Sequence, residues 1–200
     1  MAHEIHAPWG EIIPDVGPMT ADGLLAMGDA NKWCELVDGV LIKMSPTGYQ
    51  RGKYGRRLAQ ALGVFVDQHE LGDVVIGETG FLLSQPGEPD TVLAPDIAFV
   101  RAERVPPANS PEIAKFQRLA PDLVVEIASP DQYRLEMAAK ANVYLHAGVC
   151  LIWVVWPGPR TVDVWQSGSS CPAVTLTTNE VLNGMDVIPG FAFPLAGLFE

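Results

Sequence analysis

The sequence predicts an α/β fold, a central mixed β-sheet flanked by helices, and three observations carry that expectation. Segments with apolar residues at helical spacing alternate with short apolar segments of strand length. One of these, residues 150–156, is continuously apolar, as a strand covered on both faces must be. The order along the chain is helix, strands, helix, strands, which layer packing resolves into one sheet with helices against it.

Residues 1–18 are rich in Pro and Gly and are expected to form an extended arm, with residues 19–200 as a single domain. Thr20 is placed to cap a helix over residues 21–29, with Leu24, Leu25 and Met27 facing inward. Residues 33–45 hold two short strands around Asp38-Gly39, a strong hairpin signal. Tyr54, Leu58, Leu62, Phe65 and Val66 recur at helical spacing and predict a helix over residues 50–70. Strands follow over residues 74–83, 94–101 and 123–128. The proline-bearing connection 106–121 is long enough to suggest function. A second helix over residues 131–146 ends before Gly148, a natural terminator. Residues 161–166 alternate and fit an edge strand paired back as a hairpin, and the tail adds an extended segment and a short helix.

The chain has 200 residues, 48% hydrophobic, enough for one domain with a real core. No apolar run reaches the length of a membrane span, and the first residues lack the basic start and apolar stretch of a signal peptide. No membrane association and a cytoplasmic location are therefore expected. Three widely spaced cysteines argue against a disulfide framework and a zinc knuckle. The net charge of −11 counts against a general nucleic-acid coating protein, but not against an enzyme with a local basic groove.

The chemistry concentrates in two apolar segments. Asp96 lies within Ala94-Pro-Asp-Ile-Ala-Phe-Val100, and Glu126 within Leu123-Val-Val-Glu-Ile-Ala128. Taking an ionised carboxylate out of water costs several kcal/mol unless a partner compensates it. Either acid alone could face solvent or pair with an arginine. Two on separate apolar strands suggest a shared partner, for which a divalent metal bound through oxygen is the economical candidate. Neutralising either carboxylate would then relieve their mutual repulsion in the metal-free protein. At 100° per residue, Lys140 shares a helix face with Tyr133, Glu136, Met137, Val143, Tyr144 and Ala147, most of them apolar or aromatic, so it is expected to point inward and to reach the same pocket. The bland alternative is a lysine that extends its stem outward, paired with Glu136. Glu35, between apolar neighbours, is a fourth candidate; by composition alone it fits a rim charge at the start of a strand. His3 and His6 are given no role, and Trp153 and Trp156 are expected in the core.

A string of motifs in order makes the sequence recognisable. They are Glu35-Leu-Val-Asp-Gly-Val40, Met44-Ser-Pro-Thr-Gly48, Ala94-Pro-Asp-Ile-Ala-Phe-Val100 and Pro121-Asp-Leu-Val-Val-Glu-Ile-Ala-Ser-Pro130. Lys140 with Tyr144, Ala147-Gly-Val149 and Trp153-Val-Val-Trp-Pro157 complete them. From about Thr20 to Phe199 the chain resembles the Uma family, described as "putative restriction endonucleases", within the PD-(D/E)XK nuclease superfamily. The resemblance implies a restriction-endonuclease-like fold in which Asp96 and Glu126 bind the metal and Glu35 is the further acid. The superfamily's lysine stands two residues after the Glu, where this chain has Ala128; in this family it has moved to the following helix, which implies Lys140. Many family members carry a His just before the Gly of the long helix, where this chain has Arg51.

The implied activity is hydrolysis of DNA phosphodiester bonds, RNA remaining an alternative, with Mg²⁺ or Mn²⁺ held by Asp96, Glu126 and the Ile127 carbonyl. Lys140 would orient the attacking water. Nucleases of this fold commonly pair, which implies a homodimer. Arg51, Lys53, Arg56 and Arg57 open the long helix against its macrodipole, so a phosphate-contacting patch is the favoured reading over a solvated face. A nucleic-acid-binding or regulatory module that keeps the fold without cutting is the principal alternative, and a self-associating protein without a nucleic-acid partner is the third.

Overall fold

The computed structural model describes residues 9–14, 17–31, 33–46 and 48–200. The continuously apolar segments build its centre. A six-stranded sheet runs in the order β11-β10-β9-β8-β7-β4. Its strands are β4 (Gly72–Ile76), β7 (Ile97–Arg101), β8 (Leu123–Ile127), β9 (Leu151–Trp156), β10 (Thr161–Gln166) and β11 (Val174–Leu176). β8 and β9 are parallel, and every residue of both is buried. A parallel pair needs a crossover, and α3 (Arg134–His146) supplies it.

The strand period of two sorts the side chains onto two faces. Phe99, Leu123, Val125, Ile127 and Trp153 pack with α2 (Tyr49–Gln68), which buries Tyr54, Leu58, Leu62 and Val66 at every fourth position. Burying each such side chain is worth about 1.5–3 kcal/mol. Ala98, Val124, Ile152 and Val154 pack instead with Met137, Ala141 and Tyr144 of α3. Both faces are covered, so no alternation survives in β8 or β9.

A second sheet of five strands runs β1-β3-β2-β6-β5. It comprises β1 (Glu11–Ile12), β2 (Cys34–Val37), β3 (Val40–Lys43), β5 (Phe81–Leu82) and β6 (Val92–Leu93). The β2–β3 turn places Asp38 at φ 50° and Gly39 at φ 77°, the left-handed pair that an Asp-Gly hairpin requires. α1 (Ala21–Ala26) sets Leu24 against Leu36, Leu41, Leu82 and Val92. Thr20 caps it, its Oγ1 accepting from the Gly23 amide at 3.1 Å. β12 (Val181–Asn183) and β13 (Ala192–Pro194) form a third, two-stranded sheet, followed by α4 (Ala196–Phe199). Among the described residues, no helix is long and apolar enough to cross a membrane.

Several boundaries differ from expectation, each for a local reason. The mixed sheet is accompanied by two further sheets. Residues 74–83 are not one strand: Gly77 at φ 25° and Glu78 at φ 55° leave the extended region, so β4 and β5 enter different sheets. The strand expected over residues 94–101 begins only at Ile97, after Pro95, which has no ladder donor, and β6 ends before it at Leu93. Residues 161–166 are not an edge strand, because β11 pairs along the outer side of β10. The first helix stops at Ala26 and a 3₁₀ turn over Gly28–Asn31 follows it. α3 begins at Arg134 because residues 129–132 close a turn, the Ser129 amide donating to Gln132 Oε1 at 2.8 Å. The long connection carries a 3₁₀ turn, Pro111–Ala114. His3, His6 and most of the expected arm lie outside the described residues; within the described part, Trp9 is buried and β1 pairs with β3.

Candidate active site

The β7–β8 register sets Ala98 opposite Val124 and Ile97 opposite Val125. One step further, Asp96 comes beside Glu126 on the face shared with Ala98 and Val124. That is the face α3 covers. Lys140 and Tyr144, one helical turn apart on the buried side of α3, therefore point at Glu126. Lys140 Nζ stands 2.9 Å from Glu126 Oε1, and the Tyr144 hydroxyl donates to the same oxygen at 2.8 Å.

The second sheet brings Glu35 to the same point. Lys140 Nζ donates to Glu35 Oε1 at 3.0 Å. The Ala94 amide donates to that oxygen at 3.0 Å, and Trp9 Nε1 donates to Oε2 at 3.0 Å. Glu35, Glu126 and Lys140 are each only 3% exposed. Such charges persist in the interior because every one is matched by an opposite charge and further hydrogen bonds. Glu35 is thus not the rim charge that its composition suggested.

Arg51 completes the cluster from the first turn of α2. Its Nη2 lies 2.8 Å from Asp96 Oδ1 and 2.9 Å from Oδ2, and its Nε also donates to both oxygens. Nη1 donates to Ser129 Oγ at 3.2 Å, and Nη2 stands 4.0 Å from Glu126 Oε2. Asp96 Oδ2 also accepts from the Ile127 amide at 2.7 Å, which is the contact Ile127 makes with the site. Three carboxylates against two cations leave one formal negative charge.

The electrostatics follow from burial and pairing. Desolvation raises the Glu126 carboxyl above its ordinary range; Lys140 opposes this, while Asp96 and Glu35 add to it. For Lys140, burial acts to lower the ammonium, but Glu126 and Glu35 prevail and raise it. Tyr144 is raised by burial and by the Glu126 charge, so its hydroxyl stays protonated and donates. Burial likewise opposes the charge on Arg51, and Asp96 and Glu126 outweigh it.

A cleft of about 600 Å³ opens over the cluster. Glu35, Arg51, Asp96 and Lys140 form its polar floor, and Trp33, Ile76 and Phe116 its apolar lip. Hard carboxylate oxygens suit a small divalent cation. Yet among the described residues no three His, Cys, Asp or Glu side chains are gathered to hold one as they stand. The reason is visible: the Arg51 fork takes both Asp96 oxygens, and Lys140 separates Glu35 from Glu126. The donor set fits an ion once Arg51 releases Asp96.

The four cations at the start of α2 turn to different partners. Arg51 turns into the cleft. Lys53 donates to the main-chain oxygen of Glu200, and Arg57 Nη1 donates to the Gly197, Leu198 and Glu200 main-chain oxygens. Arg56 remains exposed, bonded to Gln60 one turn on at 2.7 Å. Helical spacing decides this: residues 53 and 57 share one face, and 51 lies on another. Trp9 and Ser129 escaped the sequence reading, since no local pattern ties either to a distant partner. The departure from the family pattern at Arg51 was the available pointer to its special place.

Fold and cleft together define a restriction-endonuclease-like α/β protein with a carboxylate–lysine site between two sheets. The family model Uma2, described as "Putative restriction endonuclease", matches residues 23–196. The chain belongs to the Uma2 family. Among solved structures, it is similar to a "putative nuclease belonging to DUF820" from Anabaena variabilis, at 20% identity and a TM-score of 0.76. That likeness covers 91% of this chain and 98% of the other. No curated protein matches the chain.

Proposed function

We propose that this chain is a metal-dependent endonuclease that hydrolyses phosphodiester bonds in DNA. The observation that supports it most is the meeting of Asp96, Glu126 and Lys140, from a strand entry, a strand and a helix, beneath a cleft that Asp96 and Lys140 line.

Asp96, Glu126 and the Ile127 carbonyl would hold Mg²⁺ or Mn²⁺, which when bound supplies Lewis-acid stabilisation of the scissile phosphate. Lys140 orients the attacking water and offsets charge growing on the phosphoryl oxygens. Glu35, bonded to Lys140 and to the Ala94 amide, holds the ammonium in place. Tyr144 fixes the Glu126 carboxylate through its hydroxyl. On this reading Arg51 and Arg56 contact phosphates, with Lys53 and Arg57 near the same track. Residues 19–200 act as one nuclease domain in the cytoplasm, pairing as a homodimer.

The test is nicking of supercoiled plasmid by the purified protein with Mg²⁺ or Mn²⁺. Asp96→Asn and Glu126→Gln are each expected to abolish it while the chain stays folded. Unchanged cleavage in either variant removes the catalytic assignment. The second reading, a nucleic-acid-binding module that does not cut, is favoured by the engagement of both Asp96 oxygens with Arg51. It predicts salt-dependent binding without nicking under any metal.

A further inference from the structure

The Arg51 guanidinium sits where the proposed reading needs a divalent ion. It covers both oxygens of Asp96 and stands 4.0 Å from Glu126 Oε2. Two cations cannot share that point, because at such distances their repulsion outweighs what one carboxylate returns. A guanidinium fork matches a phosphate as well as it matches a carboxylate. Arg51 lies at the third residue of α2, lines the cleft, and keeps 17% of its side chain exposed. It can exchange one anion for another without disturbing the helix core.

We infer that Arg51 is a phosphate-binding residue of the cleft that is parked on Asp96 in the substrate-free protein, so that phosphate and divalent metal bind together rather than independently. This rests on the nuclease reading above. An incoming phosphate takes the fork, Asp96 is released, and the ion's site forms. Without phosphate, the fork competes with the ion. Coupling between two sites is reciprocal, so phosphate tightens metal by the factor that metal tightens phosphate.

The test is Mn²⁺ binding by the full chain, read from the EPR signal of free Mn²⁺, with and without thymidine 5′-monophosphate. The nucleotide carries a phosphate and offers no internucleotide bond to cut. Wild type is expected to bind Mn²⁺ weakly alone and about tenfold or more tighter with the nucleotide, within the usual range of such couplings. Arg51→Ala is expected to bind Mn²⁺ about tenfold tighter than wild type without nucleotide, and to gain little from adding it. Arg51→Gln, closer in size, repeats the comparison should the alanine variant melt too low. Equal Mn²⁺ affinities for wild type and both variants, with binding lost in Asp96→Asn, overturn the parking role and leave the metal site standing. No Mn²⁺ binding by any of them, with or without nucleotide, overturns the metal reading and this inference with it.

Discussion

Replacing Asp96 by Asn strips Arg51 of the carboxylate that its fork engages at 2.8 and 2.9 Å. The pair is partly exposed, so the loss is expected to be about 1–2 kcal/mol in thermal or urea melts, below the value for a fully buried pair. Glu126→Gln differs. It removes a charge whose burial raises its own proton affinity, while Lys140 keeps Glu35. In metal-free buffer it is expected to melt no lower than wild type. Relief of repulsion, expected for both substitutions from the sequence, thus applies to one of them, because an arginine intervenes at the other. The raised Glu126 carboxyl also sets a pH dependence. The folded chain holds that proton more tightly than the unfolded chain, so the contribution favours folding below the ordinary value of 4.5 and is lost as pH rises through the raised folded value. Melting temperatures at pH 5 and pH 7 are expected to shift toward greater stability at pH 5 by more in wild type than in Glu126→Gln. An identical shift in both would show that another group carries it. That Asp96, Glu126 and Lys140 would find charged partners inside the fold was legible because an ionisable group among apolar neighbours is costly. Trp9, Ser129 and the Arg51 fork were not, since each bonds across more than 25 residues of chain.

At the scale of elements, α2 divides its cations by face. Lys53 and Arg57 tie the segment after β13 to the helix, so Arg57→Ala is expected to cost about 1–2 kcal/mol of stability through its lost bonds to main-chain oxygens. Among the described residues Arg56 hydrogen-bonds Gln60 one turn on, and Arg56→Ala is expected to leave the melt unchanged. If Arg56 meets a phosphate, its loss flattens the slope of log affinity against log salt by about 0.9 on duplex DNA. Affinity for a short duplex over a salt series, measured for both variants, separates the two roles. The elements legible in the sequence were those with a single strong signal: the Asp38-Gly39 hairpin, the four-residue spacing of α2, and the unbroken apolar run of β9. Those that were not legible turn on sheet membership. Residues 74–83 hold Gly77-Glu-Thr-Gly80 between two apolar runs, so the bend itself had a signal, but which sheet each half joins is decided by partners distant in sequence.

Across the whole molecule, positive charge is largely consumed within the fold. Arg104 and Arg101 pair with the buried Asp122, and Arg134 pairs with the buried Asp163. Arg118 donates to the Ser84 main-chain oxygen, and Arg160 to that of Phe199. Against a net charge of −11, little basic surface is left to follow a phosphate backbone. Duplex binding is therefore expected to involve no more than about three phosphate contacts, giving a salt slope shallower than about −2.7. A steeper slope would mean that the paired arginines are recruited to the nucleic acid. Specificity would then come from the cleft, with its charged floor and apolar lip, more than from long-range attraction.

The hydrogen bond from the Trp9 indole to Glu35 has an optical consequence. Indole emission responds to a charge held against the ring nitrogen, and Glu35 shares its other oxygen with Lys140. Any event that shifts the ammonium is thereby transmitted to a fluorophore. The chain has five tryptophans, of which Trp9, Trp153, Trp156 and Trp165 are buried and Trp33 is exposed. In a background where Trp33 and Trp156 are replaced by Phe, a change in emission that disappears with Trp9→Phe reports the charge state of the cleft directly, with no label attached.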